Sequence, residues 1–83
     1  PFYKAVDTPE TREMFSFVSN PTVSRVKREE RLNEGMAILT EQVNAKAISQ
    51  GHKTVDPSLL EEMDKMQRSL YEQIYPSTIG ALF

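Results

Sequence analysis

Apolar residues that recur every three or four positions are the feature that most limits how this chain can fold. The clearest run lies in the last third of the chain and consists of Leu59, Met63, Met66, Leu70 and Ile74. This spacing places the side chains on one face of an α-helix, whereas a half-buried strand would need strict alternation. Asp56 and Pro57 precede the run in the order typical of an N-cap and a first helical residue, and Pro76 ends it.

A second, longer helix is predicted before this one, from 22 to 50, with Gly51 as its C-terminal stop. Its apolar stripe consists of Leu32, Met36, Leu39, Val43 and Ala47. Gly35 lies inside the pattern and costs about 1 kcal/mol relative to alanine. Either a close crossing with another helix or a break in this helix would explain it. The methionines at helical spacing are interpreted as core residues.

A short helix is predicted near the N-terminal end of the chain. Thr8 and Pro9 supply its N-cap and first helical residue, and the pair Asn20-Pro21 ends it, because proline cannot continue the hydrogen-bond ladder. At ~1.5 Å per residue the second helix is about 44 Å long and the third about 27 Å. We therefore expect the third helix to cover only the C-terminal part of the second, and the first helix to line the remainder.

The expected fold class is all-α: a helical hairpin of two long helices with a short N-terminal helix and extended apolar termini. The length supports one small helical domain over 1–83. Within it, 1–7 is expected to be an extended N-terminal arm and 76–83 an extended C-terminal tail.

Composition excludes several classes of protein. Ten Lys and Arg against twelve Asp and Glu give a net charge of -2, so nucleic-acid binding driven by overall charge is not expected. The chain has no cysteine, which excludes disulfides and Cys-based zinc sites. No apolar run approaches the ~20 residues of a membrane span, and no signal-peptide pattern is visible. We expect an intracellular protein, or one within an assembled particle, without a membrane span.

The inventory of reactive side chains is also small. His52 is the only histidine, so a zinc site with two histidines cannot form within one chain. Three isolated glycines cannot build a phosphate-binding loop, and no Gly-x-Ser-x-Gly sequence presents a serine nucleophile. We therefore expect no enzymatic activity, no cofactor or metal, and no small-molecule substrate.

Both ends of the chain are apolar, although chain ends are normally polar unless something holds them. The residues expected to act as anchors on a partner are Phe2, Tyr3, Ile79, Leu82 and Phe83. In the alternative interpretation, both ends fold back over the protein's own small core. The sequence leaves these two possibilities open.

One cluster of basic residues stands near the start of the second helix. It consists of Arg25, Lys27, Arg28 and Arg31. Glutamates interleave with it, so a solvated helix face with internal ion pairs is the simpler interpretation. The cluster is also the candidate contact for an acidic protein partner or a phosphate backbone.

The two long helices carry more apolar residues than one stripe each requires. These extra residues are Ile38, Ala45 and Ile48 on the second helix and Leu60, Tyr71 and Tyr75 on the third. A second copy or a larger partner would bury them. The leading hypothesis is a non-enzymatic structural or interaction subunit of a larger assembly, such as a virion or a multisubunit complex. The alternative is a small regulatory protein that contacts DNA or a polymerase through the basic cluster.

Overall fold

A computed structural model describes residues 7–76, and this part of the chain contains three α-helices and no β-strand. The helices are α1, Pro9–Val18; α2, Arg25–Ser49; and α3, Pro57–Ile74. The prediction of an all-α protein is confirmed. The expected arm and tail, except for Asp7 and Pro76, lie outside the described residues.

The predicted N-caps of α1 and α3 are confirmed. The Thr8 side chain accepts a hydrogen bond from the Thr11 N–H at 3.2 Å, and the Thr8 N–H donates to Thr11 Oγ1 at 2.9 Å. This reciprocal pair is a capping box that satisfies two free helix-end donors. In α3 the Asp56 carboxylate accepts the Ser58 N–H at 2.9 Å, and Pro57 is the first helical residue.

The helix α2 begins three residues later than predicted. Asn20 Oδ1 accepts hydrogen bonds from both the N–H and the hydroxyl of Thr22, at 3.0 and 2.7 Å. This local turn competes with helix formation. The N-cap is instead Ser24, whose hydroxyl accepts the Lys27 N–H at 3.3 Å.

The predicted stop at Gly51 is confirmed. Its φ of 84° lies in the left-handed region that glycine adopts without strain. The Gly51 N–H donates to the Ile48 carbonyl at 3.0 Å, and the His52 N–H donates to the Ala47 carbonyl at 2.9 Å. These two bonds form a Schellman motif, which satisfies carbonyls left free at the end of α2.

Both shorter helices pack antiparallel to α2, and they also contact each other. The end of α1 lies beside Arg28, because the Val18 carbonyl accepts from its guanidinium, while Thr11 shares a cleft with Leu39. Similarly, α3 begins beside Val43 and ends beside Arg28, where the Gln73 carbonyl accepts a hydrogen bond. The described helices therefore form a three-helix bundle.

The relative positions of the helices differ from the expectation. We expected α3 to leave the N-terminal part of α2 uncovered, but its last turn reaches Arg28, the fourth residue of α2. The connection between α2 and α3 folds back beside the end of α2 and buries Val55. Because this connection lies beside the end of α2, α3 begins beside an earlier turn of α2. As a result, α3 extends further toward the first turn of α2.

The core contains most residues of the predicted stripes. The exceptions are Val43 and Leu59, which are half-buried against the core, and Ala47, which is half-buried outside it. The buried members of the core are Met14, Val18, Leu32, Met36, Leu39, Met63, Met66, Leu70 and Ile74. The methionines are core residues, as interpreted. The helix α2 continues through Gly35, and a Cβ at this position would overlap Sδ of Met14 on α1. The close crossing is therefore the correct explanation of this glycine.

Candidate interaction surfaces

Arg28 is buried where the start of α2 meets the ends of α1 and α3. Only 7% of it is exposed. Its Nη1 donates to the Val18 carbonyl at 3.3 Å and to the Gln73 carbonyl at 3.4 Å. Both carbonyls lie in last helical turns, which lack intrahelical partners and carry partial negative charge. Arg28 therefore caps two helices from inside the protein and does not present its charge on the surface.

The other members of the basic cluster are placed in different surroundings. Lys27 and Arg25 are exposed, whereas Arg31 is half-buried in the cleft between α1 and α2. The Arg25 guanidinium lies 6.0 Å from the centre of the Tyr75 ring, within cation–π range. The four basic residues therefore do not form one exposed patch.

Tyr75 connects the end of α3 to the start of α2. A hydrogen bond with the Glu29 carboxylate raises the pKa of Tyr75 above its ordinary value of 10.0, and partial desolvation acts in the same direction. The positive charge of Arg25 acts against this shift in the Tyr75 pKa. The Tyr71 ring lies 5.2 Å from the Tyr75 ring, centre to centre. Tyr75, predicted to be surplus apolar surface, is half-buried against the core.

A small cleft runs between α1 and α2. Its volume is about 80 Å³, and its apolar wall comes from Met14, Gly35, Ile38 and Leu39. The polar rim includes Glu10 and Arg31. A space of this size accommodates one small apolar group rather than a drug-sized ligand.

A larger groove lies at the opposite end of the bundle from Arg28, and we call it the end groove. Its volume is about 510 Å³, and its lining includes Val43, Lys46, Ala47, His52, Val55 and Leu59. The groove lies between the last turns of α2, the connection that follows and the first turn of α3. The sequence does not predict this groove, because it depends on how the connection and the start of α3 lie against the last turns of α2.

An apolar strip follows the solvent-facing side of α2. It consists of Ile38, Ala45 and Ile48, with 43% of Ile38 and 69% of Ile48 exposed. On α3, Leu60 and Tyr71 are about half exposed. The extra apolar residues that the sequence places on the two long helices are therefore exposed, except for Tyr75.

The described part of the chain offers no group of three or more His, Asp or Glu side chains placed to hold a metal ion. Across residues 7–76, no helix has the length and apolar character needed to cross a membrane.

Comparison with protein-family models, curated proteins and solved structures found no match. The predicted anchors Phe2, Tyr3, Ile79, Leu82 and Phe83 lie outside the described residues.

The internal role of Arg28 was missed at the sequence level, although a signal was present. Arg25, Lys27 and Arg28 all fall in the first turn of α2, where the helix dipole disfavours cations, and this turn contains no acidic residue. Such an unfavourable arrangement indicates that negative groups from elsewhere lie nearby. Here those groups are the C-terminal ends of the two neighbouring helices.

Proposed function

We propose that this protein is a non-enzymatic structural or interaction subunit of a larger protein assembly. The observation that carries the proposal is the apolar strip on α2, because the other helices leave it exposed. Ile38 lies at the edge of the α1–α2 cleft but is still 43% exposed, and Ala45 and Ile48 are exposed. Ile48, at 69%, is the most exposed large apolar residue within residues 7–76, and Ile38 and Ala45 lie on the same side of the helix. Exposed apolar residues grouped on one side of a helix in this way suit a protein contact.

The apolar tails complete the proposed contact. At least one of them inserts into a neighbour, with Phe2 and Tyr3 at one end or Ile79, Leu82 and Phe83 at the other as anchors. Large aromatic and aliphatic side chains supply most of the binding energy when they fill a partner's pocket. The proposed assembly is, for example, a virion or a multisubunit complex.

The test compares assembly of the intact chain with that of two altered chains. Deletion of 79–83 and the substitution Ile48→Ser are each expected to abolish incorporation into the native complex, measured by native mass spectrometry of the co-purified particle. Circular dichroism is expected to show unchanged helical content.

Val26→Ser is the matched control, because Val26 is also an exposed β-branched residue of α2, 64% exposed, but lies outside the strip. It is expected to assemble normally. Normal incorporation of both the truncated and the Ile48→Ser chains would contradict the proposal.

The regulatory alternative rests on the basic cluster, and the geometry supports it less well. Arg28 is occupied inside the protein and Arg31 is half-buried, which leaves Arg25 and Lys27 as the exposed cations. This alternative predicts a DNA affinity that falls steeply between low and moderate salt. It also predicts that the Arg25→Ala/Lys27→Ala double substitution removes the binding. Unchanged DNA affinity in that variant would exclude the regulatory alternative.

A further inference from the structure

The described bundle has three helices over only part of its length. The 25 residues of α2 span about 37 Å, whereas the 10 residues of α1 span about 15 Å. The first turn of α1 lies level with Leu39 and Gln42, because Thr11 shares the α1–α2 cleft with both. No residue of α1 lines the end groove, which begins on α2 at Val43.

The end groove has both apolar and polar lining residues. Val43 and Leu59 pack against the core and remain half-buried, and Ala47, Pro57 and the buried Val55 add further apolar wall. The rest of the lining is polar and consists of Lys46, Gln50, His52, Thr54 and Asp56. Water in contact with the apolar wall costs free energy that an apolar occupant would recover. The volume of about 510 Å³ is large enough for several apolar side chains.

We propose that the end groove is the docking site for residues 1–6 of the same chain. The backbone at Thr8 is extended, with φ −120° and ψ 163°. Thr8 precedes α1 at the end of the bundle that holds the groove, because Thr11 lies beside Gln42 and the groove begins at Val43. Six extended residues reach up to about 20 Å. The groove extends along α2 from Val43 to Gln50, a rise of about 11 Å. The segment is therefore long enough to fill it.

The apolar residues of the segment match the apolar wall of the groove. Phe2, Tyr3, Ala5 and Val6 are apolar, and Lys4 is the one charged side chain in the segment. The tether at Thr8 makes docking intramolecular, which corresponds to an effective concentration in the millimolar range for a short flexible linker. A second copy lacks this advantage, so the segment's own chain is the occupant that we assign.

This inference does not rest on the proposed function. It assigns the N-terminal apolar segment to the protein's own core and leaves Ile79, Leu82 and Phe83 as the anchors for a neighbour. Loss of assembly in the tests above leaves the docking proposal unchanged, and failure of docking leaves the strip on α2 unchanged.

The first test uses the unaltered protein in solution. Nuclear Overhauser effects are expected between the rings of Phe2 and Tyr3 and the methyl groups of Val43, Val55 and Leu59. A mixed sample of isotope-labelled and unlabelled chains shows whether these contacts are intramolecular. Contacts that appear only between chains, or none at all, would overturn the proposal.

A pair of substitutions then tests the groove itself. Ala47→Glu places a charge inside the groove and is expected to remove the contacts to Phe2 and Tyr3. Ala45→Glu makes the same change two positions earlier on the exposed side of α2 and is expected to leave them intact. Persistence of the contacts in folded Ala47→Glu protein would overturn the proposal.

A cross-linking measurement keeps the proposal testable if Ala47→Glu fails to fold. The native chain has no cysteine, so every disulfide that forms involves the introduced residues. Phe2→Cys/Ala47→Cys is expected to give a high yield of intramolecular disulfide, and Phe2→Cys/Ala45→Cys a yield several-fold lower. Equal yields, or disulfide-linked dimers from the first pair, would overturn the assignment.

Discussion

At the scale of single residues, Arg28 combines burial with a formal charge. Hydrogen bonds from its Nη1 replace part of the lost hydration, whereas its buried Nε has no hydrogen-bond partner in the described part of the chain. Arg28 Nη1 donates to carbonyls of Val18 and Gln73, which belong to two different helices. Removing the guanidinium would leave both carbonyls without a hydrogen-bond donor and would leave unfilled space beside them. A buried acceptor without a donor costs about 1–3 kcal/mol.

The first prediction concerns this side chain. Arg28→Met is expected to lower the free energy of unfolding by about 2–3 kcal/mol, because a thioether fills part of the volume but donates no hydrogen bond. Lys27→Met is the control, since Lys27 is exposed on the same helical turn; its effect is expected to stay within about 0.5 kcal/mol. Urea denaturation measures both. Equal effects would show that Arg28 does not cap the two helices.

The second prediction concerns the contact between Gly35 and Met14. Alanine is a better helix former than glycine, yet its Cβ would overlap Met14 Sδ, and Met14 is only 2% exposed. Gly35→Ala is therefore expected to destabilise the protein by about 1–3 kcal/mol. In a Met14→Ala background the overlap is absent, and the same substitution is expected to stabilise by up to about 1 kcal/mol.

A double-mutant cycle by urea denaturation measures this coupling. Additive effects of Gly35→Ala and Met14→Ala would show that the two residues do not touch. Met14→Ala alone provides the reference for the cavity that the shorter side chain leaves.

At the scale of secondary-structure elements, the ends of the helices depend on side chains close in sequence. The Asp56 carboxylate accepts hydrogen bonds from both the N–H and the hydroxyl of Ser58, each at 2.9 Å. These bonds favour the ionised form and hold the pKa of Asp56 below its ordinary value of 3.8, and the nearby His52 charge adds to the shift. The start of α3 is therefore sensitive to acid.

The third prediction follows from the direction of this pKa shift. Because the folded-state pKa is lowered, the stabilisation by Asp56 is fully present above the unfolded-state pKa and is lost as the pH falls through the folded-state pKa. Asp56→Asn is expected to retain a cap and most of the stability at neutral pH, while losing this part of the acid dependence.

Thermal unfolding as a function of pH measures the difference between Asp56→Asn and the native chain. The pKa of Asp7 is also lowered, by its hydrogen bond to Arg12, so an Asp7→Asn background separates the two contributions. An acid dependence unchanged by Asp56→Asn would contradict the assignment of Asp56 as the cap.

At the scale of the whole molecule, α1 and α3 are linked through one residue of α2. Val18 and Gln73 are distant in sequence, but both carbonyls accept hydrogen bonds from the same Nη1 of Arg28. The last turns of α1 and α3 are therefore expected to open together rather than separately. Local opening of this kind is visible in amide hydrogen exchange.

The fourth prediction tests this linkage. In the Arg28→Met protein, amide protection is expected to fall by a similar factor in the last turns of α1 and α3, because both lose the same cap. The first turns of these helices are capped by Thr8 and Asp56 and are expected to lose less protection. Hydrogen exchange followed by nuclear magnetic resonance measures each amide, with Lys27→Met as the control. Loss of protection in only one helix would contradict the linkage.

The sequence by itself determined the local features of this protein. The stripes predict the buried core residues from Leu32 to Ile74, and Thr8, Gly51 and Asp56 mark helix ends, because caps and periodicity depend only on residues a few positions apart. The start of α2 was placed three residues too early because the competing turn at Asn20 was not recognised.

Only the tertiary structure decided how the helices lie against one another. The sequence does not specify that Arg28 meets the ends of α1 and α3, that Met14 fills the space left by Gly35, or that α1 stops short of the end groove. These features depend on the register between helices that are distant in sequence. Helical periodicity identifies the face that a helix buries, but packing decides which turn of its neighbour that face meets.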